Sequence, residues 1–152
     1  MAAAIRIIIV GRESACVSAA VQRYIVLMRP WCACSIECIR PHQSGDAHEI
    51  MAREEKAILA KIPAGANAVV CAEDGQSMNS PQFARWVDDQ RREEKDIRLI
   101  IGGAYGLSAD LKGRFKTLSL SPLTFPHRLA LEVLIEQLYR AFTILYSRPY
   151  HK

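Results

Sequence analysis

The chain has 152 residues, of which 50% are hydrophobic, and its formal net charge at pH 7 is +4. This length buries one ordinary hydrophobic core but not two, which excludes a multidomain protein, so we expect residues 1–152 to form a single domain. The N-terminal segment has no secretory signal and falls far short of a membrane span, so we expect a cytoplasmic protein without membrane contact. The mild positive charge permits a nucleic-acid partner without requiring one.

The first half of the sequence alternates between strand and helix patterns. In chain order, it predicts a strand over residues 4–10, a helix over 14–29, a strand over 33–39, a helix over 47–62 and a strand over 68–72. Ser14 is the expected N-cap of the first helix, which Pro30 closes. The second helix is amphipathic, with Ile50 and Ile58 on its apolar side and the charged residues on the other. The residues EDGQSMN after the third strand are expected to form a loop.

The second half continues the alternation. It predicts a helix that ends at residue 94, a strand over 96–101, a short helix over 109–116, a strand over 117–120 and a long helix over 128–146. Ser80 is the expected N-cap of the first of these helices, with Pro81 at its first position. Ser108 is the expected N-cap of the short helix. This alternation predicts an α/β fold, in which a mostly parallel sheet is covered by helices on both faces.

Three loops are candidates for a ligand site, because ligands of such folds bind at the carboxyl ends of the strands. They are EDGQ at residues 73–76, GGAYG at 102–106 and SPLTFPH at 121–127. Glycines in the second loop allow close approach of the backbone to a ligand. Its spacing differs from the dinucleotide-binding fingerprint, and no phosphate-binding lysine motif accompanies it. On these residues alone, the loop is either a weak nucleotide-binding signal or a tight turn.

The cysteines suggest neither a disulfide framework nor a metal site. The five are Cys16, Cys32, Cys34, Cys38 and Cys71. Their odd number, without a secretion signal, argues against a disulfide framework. Three of them with His42 could suggest zinc, but the paired C-x2-C spacing of typical zinc modules is absent. In a strand, alternate residues such as Cys34 and Cys38 point to one face, so we interpret these cysteines as small buried apolar side chains and expect no metal.

The last helix carries one narrow polar stripe on an otherwise apolar surface. The stripe consists of Arg128, Glu132, Glu136, Arg140, Thr143 and Ser147. It is either a solvated ladder of ion pairs, Arg128–Glu132 and Glu136–Arg140, or a functional face on which Glu136 and Arg140 lie below His127. A helix this apolar around its girth is typical of a subunit interface as well as a core.

The C-terminal residues Tyr150, His151 and Lys152 are aromatic and basic. Such a tail is usually frayed at the end of a domain. The same residue types can also stack on a base or contact phosphate. The sequence leaves both readings of the tail open.

Four segments in order, LIIGGAYGLS, LSLSPLTFPH, IEQLYRAF and PYHK, resemble the RlmH family. These are SPOUT-class methyltransferases that methylate N3 of a pseudouridine in large-subunit (23S) ribosomal RNA. The resemblance covers essentially the whole chain. It implies a C-terminal trefoil knot, a homodimer with the knot at its interface, S-adenosyl-L-methionine as methyl donor, and ribosomal RNA in the assembled ribosome as substrate.

The resemblance also implies a set of site residues. The donor would be held by Cys71, Gly102, Gly103, Leu120, Ser121, Pro122, Leu123, Thr124 and Phe125. The substrate would lie near His127, Glu136, Arg140, Tyr150 and His151, with the tail supplied by the other subunit. Glu136 and His151 are the first candidates for the base that removes the N3 proton, followed by His127. Arg140 would stabilise the developing anion or bind phosphate.

The sequence departs from the family pattern at several positions. Cys71-Ala72 stands where the family usually has Leu-Asp, Ala104-Tyr105 follows the glycine pair, and Leu131 replaces an arginine. Arg128, next to His127, offers a compensating charge. Two alternatives therefore stay open, a non-catalytic α/β module that binds a nucleotide or S-adenosylmethionine, and an inactive relative of the family.

Overall fold

A computed structural model describes residues 3–16, 18–93 and 95–152. It contains one five-stranded sheet, formed by β1 (Ile5–Val10), β2 (Cys34–Ile39), β3 (Asn67–Ser77), β4 (Ile97–Ile101) and β5 (Lys116–Ser119). The strand order is β2-β1-β4-β3-β5, and every neighbouring pair is parallel. The predicted parallel sheet is therefore confirmed.

In the part of the chain that the structure describes, six helices connect or follow the strands. They are α1 (Glu13–Cys16), α2 (Ala19–Met28), α3 (Ala47–Ala60), α4 (Ser80–Arg92), α5 (Ala109–Arg114) and α6 (His127–Leu145). Within the described ranges, no helix has both the length and the apolar character needed to cross a membrane.

Side chains from the two faces of the sheet form two separate apolar layers. On one face, Ile7 and Leu99 pack with residues of α2, α4 and α6. On the other face, Ile8 and Ile100 pack with Ile58 of α3. β1 is buried on both sides, which explains why its sequence is a continuous β-branched run rather than an alternating one. Helices on both faces were predicted and are observed.

The helix predicted over residues 14–29 is divided in two. α2 begins after Ser18, whose Oγ accepts a hydrogen bond from the Val21 N–H at 3.3 Å. Ser14 lies inside α1 instead of capping a helix, so its predicted role is wrong. A serine in the middle of a helical pattern starts a new helix here because its hydroxyl satisfies a free N–H of the first turn. Val17, within the predicted helix, lies outside the described residues.

β3 is longer than the sequence predicts, and the EDGQ segment is part of it rather than a loop. The strand pairs with β5 on both sides of a bulge, first through Cys71 and then through Gln76, both opposite Leu118. A Cβ built on Gly75 would lie 2.8 Å from backbone atoms of Leu118. Only glycine allows this close approach, so the segment that resembles a turn by composition is a bulge within β3.

The cap of α4 also differs from the prediction. Asn79, not Ser80, is the N-cap, and its Oδ1 accepts from the Gln82 N–H at 2.9 Å while the Gln82 side chain accepts from the Asn79 N–H. Ser80 is the first helical residue, so Pro81 is the second. The predicted extension to Glu94 lies outside the described residues. Ser108 caps α5 as predicted.

One cysteine pair overturns the expectation that these side chains are all free. Cys16 of α1 and Cys38 of β2 form a disulfide, while Cys32, Cys34 and Cys71 are free thiols. The pair arises because the chain turns back at α1 onto the end of β2, a tertiary contact that spacing along the sequence does not reveal. Among the residues described, no three His, Cys, Asp or Glu side chains are grouped to hold a metal ion.

Candidate functional site

A cavity of about 650 Å³ lies at the carboxyl ends of β3, β4 and β5. Its lining consists of residues 71–73, 101–107, 120–121 and 123–127, with Lys112 and Ala130. This is the position that parallel α/β sheets use for ligands. We call it the donor cavity because every predicted donor residue except Pro122 lines it. The structure thus brings the three predicted segments together, and their contact with a donor remains a prediction.

The glycine loop forms one wall of the donor cavity, and at Gly102 and Gly103 this wall has no side chains. A Cβ built on Gly102 would lie 2.8 Å from Leu107 Cγ, and one built on Gly103 would lie 2.7 Å from Glu54 Oε2. Gly106 has φ +70°, a left-handed conformation that favours glycine. Backbone groups therefore face the cavity directly, which fits a ligand that is recognised through main-chain contacts.

The segment before α6 is a preformed turn on the opposite wall. Ser121 Oγ accepts a hydrogen bond from the Leu123 N–H at 3.0 Å, and Pro122 and Pro126 restrict the backbone on either side. α6 begins directly after Pro126, at His127. A Cβ on Gly11 would lie 3.1 Å from His127 Cδ2, so this imidazole sits between the donor cavity and the end of β1.

Charged and thiol groups give the donor cavity its chemistry. Burial raises the pKa of the Cys71 thiol to about 12, so Cys71 presents a neutral, weakly polar surface. Lys112 Nζ lies 3.0 Å from Asp74 Oδ2, and this hydrogen bond lowers the pKa of Asp74. Glu73 also lines the cavity. The sequence reasoning missed Glu73, although it directly follows Ala72, where the family usually has an acid.

A second group of predicted site residues surrounds Glu136 in the middle of α6. Its Oε1 accepts from Arg140 Nη2 at 2.7 Å, from Arg140 Nε at 3.1 Å and from the Tyr150 hydroxyl at 2.9 Å. Its Oε2 accepts from Gln137 Nε2 at 2.6 Å. Every carboxylate oxygen of Glu136 is therefore engaged. We call Glu136, Arg140, Tyr150 and His151 the tail cluster.

The C-terminal tail packs on its own helix and is held in place. The Arg140 guanidinium lies 4.9 Å from the centre of the Tyr150 ring, and His151 Nδ1 lies 3.3 Å from Arg140 Nη1. Hydrogen bonds to Glu136 raise the pKa of Arg140, which stays charged. Burial, followed by hydrogen bonds to Tyr24 and Glu136, raises the pKa of Tyr150, which stays neutral. The tail is thus not frayed.

Within one chain, His127 is separated from the tail cluster. It lies nine residues before Glu136 in the same helix, about 13 Å along the axis. Within a single chain, His127 is therefore not adjacent to Glu136 and Arg140, and the functional face that would unite them stays a prediction. Of the two predicted ion pairs on the polar stripe, Glu136–Arg140 forms, and none joins Arg128 to Glu132 in the part of the chain that the structure describes.

A second cavity, of about 1180 Å³, lies beside β2 and was not predicted from the sequence. It is lined by residues 11–13, Cys16, Gln22, Ile25, residues 34–36, Cys38, residues 40–41 and Gln43. We call it the arginine groove after Arg12 and Arg40, both exposed and, within the described ranges, outside every ion pair. Gly11 lines this groove, and a Cβ built on it would lie 3.1 Å from His127 Cδ2; since His127 lines the donor cavity, the two cavities are close together.

Comparisons of the sequence with known proteins agree on one family. The family model described as "Predicted SPOUT methyltransferase" matches residues 3–151. A protein of Pelobacter propionicus named "Ribosomal RNA large subunit methyltransferase H" is 37% identical over 149 residues, which cover 97% of this chain and 98% of that protein. A protein of the same name from Gemmatimonas aurantiaca is 42% identical over 113 residues, covering 74% of this chain and 73% of the relative.

Two solved structures share the fold at low sequence identity. The crystal structure of TrmJ from Z. mobilis ZM4 superposes with a TM-score of 0.56 and 13% identity, covering 100% of this chain and 73% of that chain. A probable methylase family protein from Haemophilus influenzae Rd KW20 gives a TM-score of 0.55 at 12% identity, covering 97% and 70%.

Proposed function

The chain belongs to the SPOUT methyltransferase family and, within it, to the ribosomal RNA large subunit methyltransferase H group, and on this basis we propose that it transfers a methyl group from S-adenosyl-L-methionine to a base of large-subunit ribosomal RNA. The observation that carries the proposal is the donor cavity, whose three walls come from the segments that the family resemblance assigns to the donor.

The residues of the donor cavity fit the donor. The side-chain-free wall at Gly102 and Gly103 accommodates a ligand against the backbone, and residues 120–125 would enclose it from the other side. Glu73 is a candidate acceptor for ribose hydroxyls, in place of the acid missing at Ala72. When bound, S-adenosylmethionine supplies an electrophilic methyl group on a positively charged sulfur.

We propose N3 of a pseudouridine as the acceptor, which requires loss of the N3 proton. His151 is the better of the first two base candidates, because every oxygen of Glu136 is already engaged. Glu136 would instead hold Arg140 and Tyr150 in position. Arg140 would stabilise negative charge on the base. His127, at the edge of the donor cavity, remains the third candidate.

A second copy of the chain would complete the site. In one chain the tail cluster and the donor cavity lie apart on α6, so a homodimer in which the tail of one subunit reaches the cavity of the other would unite them. Three apolar side chains near the cavity support an interface there, since Leu123 is 71%, Tyr105 55% and Leu129 44% exposed.

We further propose that residues 1–152 form one domain whose C-terminal part is threaded as a trefoil knot. The single-domain proposal is supported by β1, which pairs with both β2 and β4 and so joins the two halves of the chain in one sheet. The knot is supported by family membership and by the position of residues 120–127 across the ends of β3 and β4.

The arginine groove supports an RNA substrate. Arg12 and Arg40 present guanidinium groups, and Gln22 and Gln43 present amides, in a groove whose Gly11 end is close to the donor cavity. Phosphate contacts of this kind position a nucleic acid without reading its sequence. The RNA backbone would follow the groove while the target base enters the site.

Replacing both groove arginines, Arg12→Gln with Arg40→Gln, is expected to lower affinity for large ribosomal subunits about tenfold and to reduce the salt dependence of binding by about two charges. Binding titrations at several salt concentrations measure both. The matched control replaces the exposed Arg23 and Arg29, which do not line the groove. Equal losses of affinity for large ribosomal subunits in the groove variant and in the control would mean that RNA binding does not depend on the arginine groove.

The proposed function is tested by methyl incorporation into ribosomes from cells that lack this protein. We expect labelled methyl groups from S-adenosylmethionine at N3 of one pseudouridine, located by mass spectrometry, with assembled particles preferred over naked RNA. The small surface of the chain favours recognition of an assembled shape, which would place the reaction in the cytoplasm. Donor binding without methyl transfer to any particle would indicate a non-catalytic module.

A further inference from the structure

Glu54 of α3 is a buried carboxyl group with one oxygen unpartnered. Its relative exposure is 4%, and its Oε1 accepts one long hydrogen bond, from the His42 N–H at 3.4 Å. Its Oε2 has no hydrogen-bond partner among the residues described. Burial raises the pKa of Glu54 above its ordinary value. A buried polar atom without a partner is costly, so its presence requires an explanation.

The unpartnered oxygen lies directly behind the wall of the donor cavity. A Cβ on Gly103 would be 2.7 Å from Glu54 Oε2, so no side chain separates the carboxyl from the glycine backbone that faces the cavity. The neighbouring Glu55 differs, since its two oxygens accept from the Ser108 N–H and hydroxyl at 2.6 and 2.9 Å.

Within the described residues, Glu54 forms no ion pair, although two histidines act on it electrostatically. The two side chains close enough to influence its charge electrostatically are His42, in the loop after β2, and His127, at the start of α6. Lys112, the cation that lines the donor cavity, is paired with Asp74. A ligand that brings a positive charge to the cavity side of Gly103 would therefore interact favourably with the ionised Glu54 carboxylate.

We propose that Glu54 is the counter-charge for the sulfonium of the donor and makes the site prefer S-adenosylmethionine over its demethylated product. The proposal rests on the proposed function. The two compounds have nearly the same shape, but the donor sulfur is positive and the product sulfur is neutral. The Glu54 carboxylate, on the far side of the Gly103 backbone, would attract the positive sulfur of the donor but not the neutral sulfur of the product. This attraction does not need direct contact, because the Coulomb interaction is strong where water is excluded. Glu54 thus sets specificity without touching the reacting atoms.

The test compares the dissociation constants of donor and product by calorimetry, without turnover. In Glu54→Gln we expect donor affinity to fall about tenfold while product affinity stays nearly constant. The product is an internal control for damage to the loop, since both ligands use the same cavity. Glu55→Gln is the matched control on the same helix and should change both affinities alike.

A second measurement follows the affinity ratio of donor to product against pH, in the unaltered protein and in Glu54→Gln. The raised pKa means that the carboxylate forms only as the pH rises above the ordinary value of 4.5. Between about pH 5 and pH 8, the affinity ratio of donor to product should therefore increase with pH. Positive charge on His42 and His127 acts in the same direction, and Glu54→Gln retains that contribution. The part of the pH dependence of the affinity ratio that is lost in Glu54→Gln is the contribution of Glu54.

Equal losses of affinity for donor and product in Glu54→Gln, or a pH dependence of the affinity ratio that is the same in this variant as in the unaltered protein, would each overturn the proposal. The proposed function would fail differently, because then neither compound would bind the unaltered protein.

Discussion

Deletion of residues 150–152 is expected to lower the rate of methyl transfer by about a hundredfold or more while donor affinity is unchanged. The deletion removes Tyr150 and His151, the parts of the tail cluster that contact Glu136 and Arg140, and none of these four residues lines the donor cavity. Single-turnover transfer to large subunits measures the rate, and calorimetry with S-adenosylmethionine measures the affinity.

Removal of Lys152 alone is the control, because this residue makes no hydrogen bond or ion pair in the tail cluster. Glu136→Gln should resemble the full deletion, since loss of its charge releases Arg140 and weakens the hold on Tyr150. Full activity in both the deletion and Glu136→Gln would remove the tail cluster from the mechanism.

Gly103→Ala is expected to lower donor affinity at least about tenfold and stability by about 1–3 kcal/mol. The added methyl would lie 2.7 Å from Glu54 Oε2 and 3.0 Å from Val10 Cγ1, so either the Glu54 carboxyl moves away or the glycine loop moves toward the cavity, and both changes alter the donor site. Thermal unfolding with and without S-adenosylmethionine measures both effects. At a donor concentration about a hundred times its Kd, the unaltered protein should gain about 2.7 kcal/mol, and the variant should gain clearly less.

Gly113→Ala is the matched control for this change. Gly113 lies in α5, and a Cβ there has nothing within 4 Å. Because alanine is the better helix former, this variant should equal or exceed the original stability by up to about 1 kcal/mol. A donor-induced shift in Gly103→Ala equal to that of the control would show that the glycine wall does not shape the donor site.

The parts of the fold that local patterns determine could be read from the sequence. β1 and β4 are short β-branched runs, and Ser108 is a cap followed by a helical pattern, so each follows from its own residues. The extension of β3 could not be read in this way. Residues 73–76 have the composition of a turn, and they belong to β3, at its bulge, because Gly75 permits close contact with Leu118 of β5.

The candidate site too could be predicted only where local sequence patterns determine it. The three donor segments could be placed from the strand order and the family motifs, but the separation of His127 from the tail cluster depends on how α6 and the tail pack. Glu54 was assigned to the charged side of its helix. Its spacing of four residues from both Ile50 and Ile58 places it on the buried side, which is the signal that could have identified it.

Of the five strands, β1 is made first on the ribosome, but it lies inside the sheet, between β2 and β4. The Ala4 N–H donates to Asp96 Oδ1 across 92 positions of sequence, and Arg6 pairs with the same carboxylate. During synthesis, one side of β1 therefore stays open until residues 96–101 have emerged. Such long-range pairing slows folding and leaves an unpaired strand edge exposed meanwhile. Nascent chains that stall before residue 96 should therefore depend on chaperones, whereas longer ones close the sheet themselves.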